Sequence, residues 1–325
     1  MTKVVVIGAI NWDINLFVKR FPKVDEEVAV KQITRVPGGT AANVSVAASR
    51  LLNPNDVAFI GCLGKDSIGK EQVKILKKEG VNTTGIKLVD GVESGQAYIT
   101  IDEAGRNCIH TYFGANTHLS PEDLTENPRL QLIKETSVIV IMDPPFGTAE
   151  RMAKIGRSDK KIVIWNPGVY WEIGLKVLGE TLKNTDYFIL SSIEFENLLG
   201  TSVPREVGLT LYKINKKLCT IIKQGSEGCT LVKSGGEYAF HIPAIPLEEL
   251  QMKVINTVGC GDALVGTFAA FKSQGYSDEE ALKRANCAGA FKATKEETRG
   301  SPTREELEFL LEKVERLRLK TGREE

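Results

Sequence analysis

Short, nearly unbroken apolar runs rich in β-branched residues recur along the chain and alternate with segments of helical periodicity. Runs of this length are typical of strands that a parallel sheet buries on both faces. Because helical segments separate successive runs, the pattern predicts an α/β fold with a doubly wound, mainly parallel sheet flanked by helices. The predicted strands cover residues 3–10, 57–61, 138–142, 162–165, 187–190 and 219–223.

Two segments, at about residues 14–36 and 95–113, carry a different pattern, in which apolar and polar residues alternate. Alternation is typical of strands that keep one face solvated, and each segment contains its own turn signal. We therefore expect a small second sheet, inserted into a single domain that spans residues 1–325. Such a sheet would cover a site as a lid and exclude water from it.

Polar residues stand at the carboxyl ends of the predicted core strands. Open α/β sheets bind their ligands at this edge, so side chains there are candidates for a binding cleft. Asn11 and Asp13 follow the first strand, and both can hydrogen-bond the hydroxyl groups of a sugar. The alternative is that these two residues simply form a turn.

Composition and charge argue against several classes of binding partner and of site. The 325 residues include 42 basic and 42 acidic side chains, so electrostatics give no reason to expect nucleic acid or an anionic membrane as partner. No apolar run approaches the roughly 20 residues that a membrane helix needs, and the N-terminus lacks signal-peptide features, so we expect a cytoplasmic protein. The six cysteines and three histidines are scattered, which argues against a zinc site or a disulfide framework.

A glycine-rich turn at residues 256–262 precedes an apolar helical segment. Gly259 and Gly261 flank Cys260 where this helix should begin, and glycine lets the backbone approach a ligand closely. The free amides and the positive dipole end of a helix N-terminus bind anions, including a phosphoryl group in transfer. Asp262 lies inside this positive end, where a carboxylate either caps the helix or accepts the proton of an attacking hydroxyl.

The sequence of this turn, NTVGCGD, resembles the D-T-x-G-A-G-D signature of ribokinase-like (PfkB) carbohydrate and nucleoside kinases. The resemblance implies that Asp262 is the catalytic base. It also implies that the amides of Gly259, Cys260 and Gly261 form the anion hole. Cys260 stands where the family has a small residue, usually alanine. Asn256 stands where the family has aspartate, so the need for a monovalent cation such as K⁺ stays open.

A second signature of the family lies in residues 37–43, PGGTAAN, which resemble its G-G-x-x-x-N motif. The alternative for this segment is a tight turn before a capped helix. The family also carries a β-sheet lid between its core elements, and this lid can mediate a homodimer. The resemblance implies that the substrate is bound by Asn11, Asp13, Gly38, Gly39, Asn43 and Asn116.

Three further segments resemble the nucleotide and metal motifs of the family. Residues 191–194 take the place of an N-x-x-E motif, in which Glu194 is kept and Ser191 stands where asparagine is usual. The resemblance implies that Glu194 acts on Mg²⁺, an ion that retains several waters and few protein ligands. Residues 223–228 resemble the K-x-G-x-x-G nucleotide segment, and a small-residue helix further on would flank the base. The implied phosphoryl donor, ATP or ADP, would be bound by Lys223, Gly225, Gly228 and Asn286.

The resemblance therefore predicts a Mg²⁺-dependent phosphotransferase that acts on a hydroxyl of a ribose-containing substrate, either a nucleoside, ribose or a ribose phosphate. A hexose or hexose phosphate is the alternative substrate class. A catalytically silent ligand sensor on the same fold is an alternative of another class, which only Asn256 and Ser191 support. A Rossmann oxidoreductase is disfavoured, because residues 4–13 contain only Gly8 and no glycine-rich dinucleotide turn.

Overall fold

The computed structural model describes residues 2–233 and 235–321, so the predicted domain limits at residues 1 and 325 lie outside the described residues. Its strands fall into a large sheet, a small sheet and a short two-stranded piece. In chain order the strands are β1 (Val4–Gly8), β2 (Asn11–Val18), β3 (Val30–Gly38), β4 (Val57–Ile60), β5 (Cys62–Gly64), β6 (Lys87–Val89), β7 (Gly95–Ile101), β8 (Asn107–Tyr112), β9 (Val138–Met142), β10 (Ile162–Asn166), β11 (Tyr187–Ser191), β12 (Cys219–Lys223), β13 (Cys229–Val232) and β14 (Ala239–Ile242).

The large sheet has the strand order β14-β13-β12-β11-β10-β9-β1-β4. Strands β12 to β4 in this order pair in parallel, whereas β13 and β14 add an antiparallel edge. The side chains of β1 alternate between the two faces, so that Val4 and Val6 join one core cluster and Val5 and Ile7 join the other. The predicted fold class is confirmed, with the antiparallel edge as an addition that the sequence pattern did not indicate.

Helices cover both faces of the large sheet. In chain order the helices are α1 (Thr40–Ser49), α2 (Ser67–Lys78), α3 (Arg129–Glu135), α4 (Phe146–Ser158), α5 (Leu175–Leu182), α6 (Ser192–Leu199), α7 (Pro204–Tyr212), α8 (Cys260–Lys272), α9 (Asp278–Ala293) and α10 (Arg304–Thr321). One core cluster includes side chains from α1, α2, α8, α9 and α10, and the other includes side chains from α3 to α7. Within the described part of the chain, no helix combines the length and apolar composition needed to cross a bilayer.

The small sheet has the order β3-β2-β7-β8 and is built from the two segments of alternating pattern. Strand β2 pairs antiparallel with β3 and parallel with β7, and β7 and β8 form the second hairpin. Asn11 and Asp13 follow the first core strand, as predicted, but the alternative that they form a turn is wrong, because β2 begins at Asn11 and includes both residues. The chain leaves β1 after Gly8 and enters the small sheet almost at once, so the predicted binding residues lie where the two sheets meet.

Helices α1 and α8 cross at short range on one face of the large sheet. A Cβ atom at Gly266 of α8 would lie 2.5 Å from the carbonyl oxygen of Val44 in α1, so only glycine permits this approach. The crossing brings the first turn of α8 beside the first turn of α1. The glycine turn and the residues of the second predicted motif therefore come together although more than 200 positions separate them in the chain.

Candidate active site

The glycine turn has the geometry of an anion site at the start of α8. Gly259 has φ of 88°, in the left-handed region, and a Cβ atom there would lie 2.3 Å from the carbonyl oxygen of Thr298. The amides of Gly259 and Gly261 have no hydrogen-bond partner within residues 2–233 and 235–321, whereas the Cys260 amide makes a long bond of 3.3 Å to the Thr257 carbonyl. Two of the three predicted amides are therefore free to bind an anion, and the third is weakly engaged.

The thiol of Cys260 adds no reactive group to this turn. Burial raises the pKa of the thiol to about 11, against the lowering effect of the Lys292 charge. The thiol is therefore neutral at physiological pH, which leaves the Cys260 backbone as its relevant feature.

Asp262 lies in the first turn of α8, and its Oδ2 accepts a 2.8 Å hydrogen bond from Asn43 Nδ2 in α1. Burial raises the pKa of Asp262, while the Asn43 hydrogen bond and nearby positive charges lower it. A carboxylate with a raised pKa has a higher proton affinity near neutral pH, as a general base requires. The Asn43 amide holds this carboxylate in one orientation and leaves its second oxygen, Oδ1, for a substrate hydroxyl.

Asp13 is the second carboxylate of the site. It lies on β2 opposite the end of β3, and a Cβ atom at Gly38 would come within 2.1 Å of its carboxylate. No hydrogen bond from another described residue reaches this carboxylate, although Asp13 is only 5% exposed. Burial raises the pKa of Asp13 to about 7; the charge of Arg299 lowers it and the charge of Asp262 raises it. A buried acceptor without a protein partner is expected where a ligand supplies the hydrogen bonds.

Gly39 and Asn116 shape the backbone around Asn11. Gly39 has φ of 92°, and a Cβ atom there would lie 2.5 Å from the Asn11 amide nitrogen. Asn116 accepts from the Ile10 amide at 2.9 Å and donates to the Asn11 side-chain oxygen at 2.9 Å. The side chain of Asn116 is thus occupied by protein contacts, and the structure assigns it to holding Asn11 in place.

Arg299 is a residue of this site that the sequence prediction missed. Its guanidinium donates to Asn43 Oδ1 at 3.0 Å, to the Gly38 carbonyl at 2.7 Å and to Gln72 Oε1 at 3.0 Å. Burial lowers the pKa of Arg299 to about 10, and the Asp13 charge opposes this. The sequence signal that could have found it is weak, a single arginine directly before the small residues 300–302.

Lys223, the last residue of β12, lies on the nucleotide side of the glycine turn. A Cβ atom at Gly261 would lie 3.3 Å from Lys223 Nζ, so the ammonium stands directly over the predicted anion hole. In the turn that follows, Gly225 (φ 59°) has open space around it, whereas a Cβ atom at Gly228 would lie 2.0 Å from the Ile242 carbonyl oxygen. Gly228 is therefore needed for packing of the turn, whereas Lys223 lies beside Gly261 of the glycine turn.

Asn286 lies on α9, and its Nδ2 donates to the Pro243 carbonyl at 2.9 Å. This bond ties the helix to the segment that follows β14 and leaves the side-chain oxygen of Asn286 without a described partner. The structure thus gives Asn286 a role in positioning this segment, which borders the predicted nucleotide region.

Glu194, the predicted metal residue, is the third residue of α6 and forms a capping box with Ser191. Its Oε2 accepts from the Ser191 amide at 2.6 Å and from Ser191 Oγ at 2.7 Å, which leaves Oε1 free. Ser191 thus serves as the N-cap residue, a function that serine performs as well as asparagine.

Asp143 is a further carboxylate that the sequence prediction did not assign to the site. It follows β9 with φ of 54°, and its Oδ2 accepts from Thr40 Oγ1 at 2.9 Å. Its Oδ1 is buried and lacks a partner in the described chain. Burial raises the pKa of Asp143 to about 6, and the charges of Asp262 and Glu194 add to this effect, so the three carboxylates lie close enough to interact.

Comparisons with known proteins agree with this geometry. The family model described as "pfkB family carbohydrate kinase" matches residues 1–305. The chain belongs to the pfkB family of carbohydrate kinases. The predicted family and the predicted enzyme class are therefore confirmed, and a Rossmann oxidoreductase is excluded.

Two relatives of similar sequence are named as kinases of ribose or of a ribose phosphate. The ribokinase of Bacillus subtilis is 30% identical over 96% of this chain and 100% of its own length. An ATP-dependent ribose-1-phosphate kinase of Halopiger xanaduensis is 27% identical over 93% of this chain and 96% of its own length.

Among solved structures, the Arabidopsis thaliana ribokinase complexed with ribose and ATP has a TM-score of 0.81 at 25% identity, covering 96% of this chain and 99% of that one. The Giardia lamblia ribokinase has a TM-score of 0.85 at 22% identity, with the same coverage of the two chains.

Proposed function

We propose that this pfkB-family kinase transfers a phosphoryl group from ATP or ADP to a hydroxyl of a ribose-containing compound, namely a nucleoside, ribose or a ribose phosphate. The observation that carries the proposal is the pair of carboxylates Asp13 and Asp262. One is a buried acceptor without a described protein partner, and the other is oriented by Asn43 at a helix N-terminus. The names of the relatives support the ribose-type substrate.

In this proposal the substrate lies where the two sheets meet. Asp13 accepts hydrogen bonds from two neighbouring hydroxyl groups of the sugar, because its carboxylate has two oxygens and no described donor. The absence of a Cβ atom at Gly38 leaves room for the Asp13 carboxylate, and Asn116 holds Asn11 beside it. The sugar thus meets fixed acceptors on one side and Asp262 on the other.

The chemical step follows from the position of Asp262 beside the glycine turn. Asp262 accepts the proton of the attacking hydroxyl as its oxygen forms a bond to the terminal phosphorus. The bond from that phosphorus to the bridging oxygen breaks, and the nucleotide leaves with the electron pair. The free amides of Gly259 and Gly261 and the ammonium of Lys223 stabilise the negative charge of the phosphoryl oxygens during transfer.

The carboxylates near Lys223 fit a Mg²⁺ ion. Magnesium in phosphoryl-transfer sites uses one or two carboxylates together with waters and substrate phosphates. Asp143 has a buried oxygen without a described partner, and Glu194 has Oε1 free, so these two would hold the ion. Within residues 2–233 and 235–321, no group of three or more acidic, histidine or cysteine side chains is arranged to hold a metal ion by itself. When bound, Mg²⁺ neutralises charge on the phosphate oxygens.

The experiment that tests the proposal is a phosphate-transfer assay with Mg²⁺, run separately with ATP and with ADP. The acceptors are nucleosides, ribose, ribose phosphates and hexoses. We expect turnover on a ribose-containing acceptor. Preferred turnover on a hexose would establish the alternative substrate class. Binding of one acceptor, seen as a rise in melting temperature, without any transfer would favour the silent sensor.

We also propose that the small sheet mediates a homodimer. All six residues of β8 are exposed, and Ile109 and Tyr112 remain 50% and 48% exposed. An exposed edge strand with apolar side chains is a surface on which a second copy can pair or pack. Light scattering after size exclusion tests this proposal, and a monomer at all concentrations would contradict it.

A further inference from the structure

Lys292 is a completely buried lysine in the last turn of α9. Of the lysines in the described part of the chain, it alone is classed as buried, and no described carboxylate lies within ion-pair distance of it. Burial of an unpaired charge is costly, so such a residue is retained only where other groups satisfy it. Burial lowers the pKa of Lys292, while the charges of Glu297 and Asp262 oppose this effect.

Two backbone carbonyls satisfy the Lys292 ammonium. Nζ donates to the carbonyl oxygen of Asn256 at 2.8 Å and to that of Lys295 at 3.3 Å. The first carbonyl belongs to the segment that leads into the glycine turn, and the second belongs to the loop after α9. The ammonium therefore bridges the two pieces of backbone that meet behind the anion hole.

The same two pieces of backbone are joined by several other contacts. Asn256 Nδ2 donates to the Glu296 carbonyl at 2.7 Å, and the Ile255 amide donates to the Ala293 carbonyl at 2.7 Å. Gly259 packs against the Thr298 carbonyl. One residue further along, Arg299 binds the substrate side of the site. The loop 294–299 thus connects the anion hole to the substrate-binding residues.

Carbonyl oxygens that converge on a cation are the environment in which a protein would bind a monovalent metal ion. Here the position between the two carbonyls is already taken by an ammonium that is covalently part of the chain. Asn256 presents a neutral amide at this place, and its side-chain oxygen accepts from the Val258 amide at 3.0 Å. These residues do not fit an additional K⁺ ion between the same carbonyls.

We propose that the Lys292 ammonium takes the structural and electrostatic place of a monovalent cation behind the anion hole, so that the enzyme works without K⁺. Lys292 acts as a positioning residue: it fixes the loop 294–299 against the segment 255–258 and keeps Gly259 in its left-handed conformation. Its charge also adds to the positive field at the start of α8. This inference rests on the proposed kinase activity for its kinetic test, and a second test is independent of that activity.

The first experiment compares turnover of the wild-type enzyme in K⁺ and in tetramethylammonium at equal ionic strength. We expect the two rates to agree within about threefold, far below a tenfold effect, which corresponds to ~1.4 kcal/mol. This measurement needs no variant and so avoids any folding defect. A wild-type enzyme that loses more than about tenfold of its turnover without K⁺ would overturn the proposal.

The second experiment uses Lys292→Met, which keeps the length of the apolar stem, with sulfur in place of one methylene, and removes the ammonium. We expect turnover in tetramethylammonium to fall at least tenfold, though by less than the ~10²–10³-fold loss that follows removal of a direct oxyanion donor. K⁺ or NH₄⁺ should restore part of this loss by occupying the vacated position. An unchanged turnover, or a loss that no cation reverses in a folded variant, would contradict the proposal.

A matched control is Lys272→Met. Lys272 is also largely buried in the last turn of a helix, and its Nζ donates to the Tyr276 carbonyl at 2.9 Å and to Asp278 at 2.8 Å. It lies at the opposite end of α8 from the glycine turn. We expect this variant to lose stability and to keep its turnover, with no cation-dependent recovery.

Melting temperature gives a readout without any substrate. K⁺ should raise the melting temperature of Lys292→Met above that in tetramethylammonium, because an ion that binds the folded state stabilises it. It should have no such effect on the wild type or on Lys272→Met. If no acceptor is phosphorylated, the proposed function fails while this test still decides the role of Lys292; no K⁺ effect on folded Lys292→Met would refute that role.

Discussion

Asp262 and Asp13 are two aspartate side chains to which different surroundings give different roles. Asp262 accepts a hydrogen bond from Asn43, which fixes its orientation. Asp13 has the elevated pKa of about 7 and no described donor, so it depends on a ligand for its hydrogen bonds. At the scale of single residues the site thus contains one carboxylate suited to proton transfer and one suited to binding.

We expect Asp262→Asn to fold normally and to lose at least ~10³-fold in turnover, the scale of general-base loss with mispositioning. The amide keeps an oxygen that can accept from Asn43, so the variant removes the base without removing the contact. Circular dichroism and the melting temperature check the fold, and single-turnover phosphate transfer measures the loss. A decrease of less than tenfold would show that another group accepts the proton.

We expect the acid side of the pH profile of kcat/KM to reflect Asp13. Its pKa in the free enzyme is about 7, and only the charged form presents both oxygens purely as acceptors, so kcat/KM should fall as pH drops through about 7. In Asp13→Asn this limb should disappear, and KM should rise at all pH values. A limb near pH 7 that persists in Asp13→Asn would assign it to a different group.

Glycine conformation governs the contact between the start of α8 and the loop after α9. Gly259 combines a left-handed φ with a close approach to the Thr298 carbonyl, so two physical reasons exclude a side chain there. Gly275, after the same helix, has φ of 83°, but a Cβ atom there would have no neighbour within 4 Å. A side chain would therefore meet both backbone strain and a steric clash at Gly259, but backbone strain alone at Gly275.

We expect Gly259→Ala to lose more stability than Gly275→Ala and to lose about 10²-fold in turnover, because the clash with Thr298 displaces the anion hole. Gly275→Ala should cost about 1–2 kcal/mol of strain alone and should keep its turnover. Urea unfolding and steady-state kinetics measure both effects. Equal losses of stability in the two variants, with turnover intact in both, would mean that the turn adjusts without moving the anion hole.

At the scale of the whole molecule, the features that could be predicted from the sequence are those with a signal in a short stretch of residues. The apolar runs of the core strands and the two glycine motifs have strong local signals, and their elements lie where the pattern placed them. The antiparallel edge formed by β13 and β14 was not predicted, although short connections that contain glycine precede both strands and are typical of hairpins. Arg299 and Asp143 were missed because their roles arise from tertiary contacts with Asn43 and Thr40, which lie 256 and 103 positions away.

Arg299 links the loop that follows α9 to the substrate-binding residues predicted near Asn43. It connects the loop after α9 with the end of β3, with α1 and with α2 by three hydrogen bonds from one planar guanidinium. Lysine keeps the charge but cannot reproduce a fork of donors in fixed directions. We therefore expect Arg299→Lys to lose about 1–3 kcal/mol of stability through acceptors left unpaired and to lower kcat about tenfold through a looser Asn43.

The matched control for Arg299→Lys is Arg50→Lys. Arg50 lies near the same loop, where it pairs with both carboxylate oxygens of Glu79 at 2.9 Å and donates to the Ser301 carbonyl at 2.6 Å. It makes no contact with Asn43 or Asp262, so its substitution should reduce stability by about 1 kcal/mol and leave kcat unchanged. Chemical unfolding and kcat, measured for both variants, separate the two effects. If kcat falls equally in both variants, the loop acts on the site as a rigid body, and the hydrogen bond from Arg299 to Asn43 has no individual role in positioning the base.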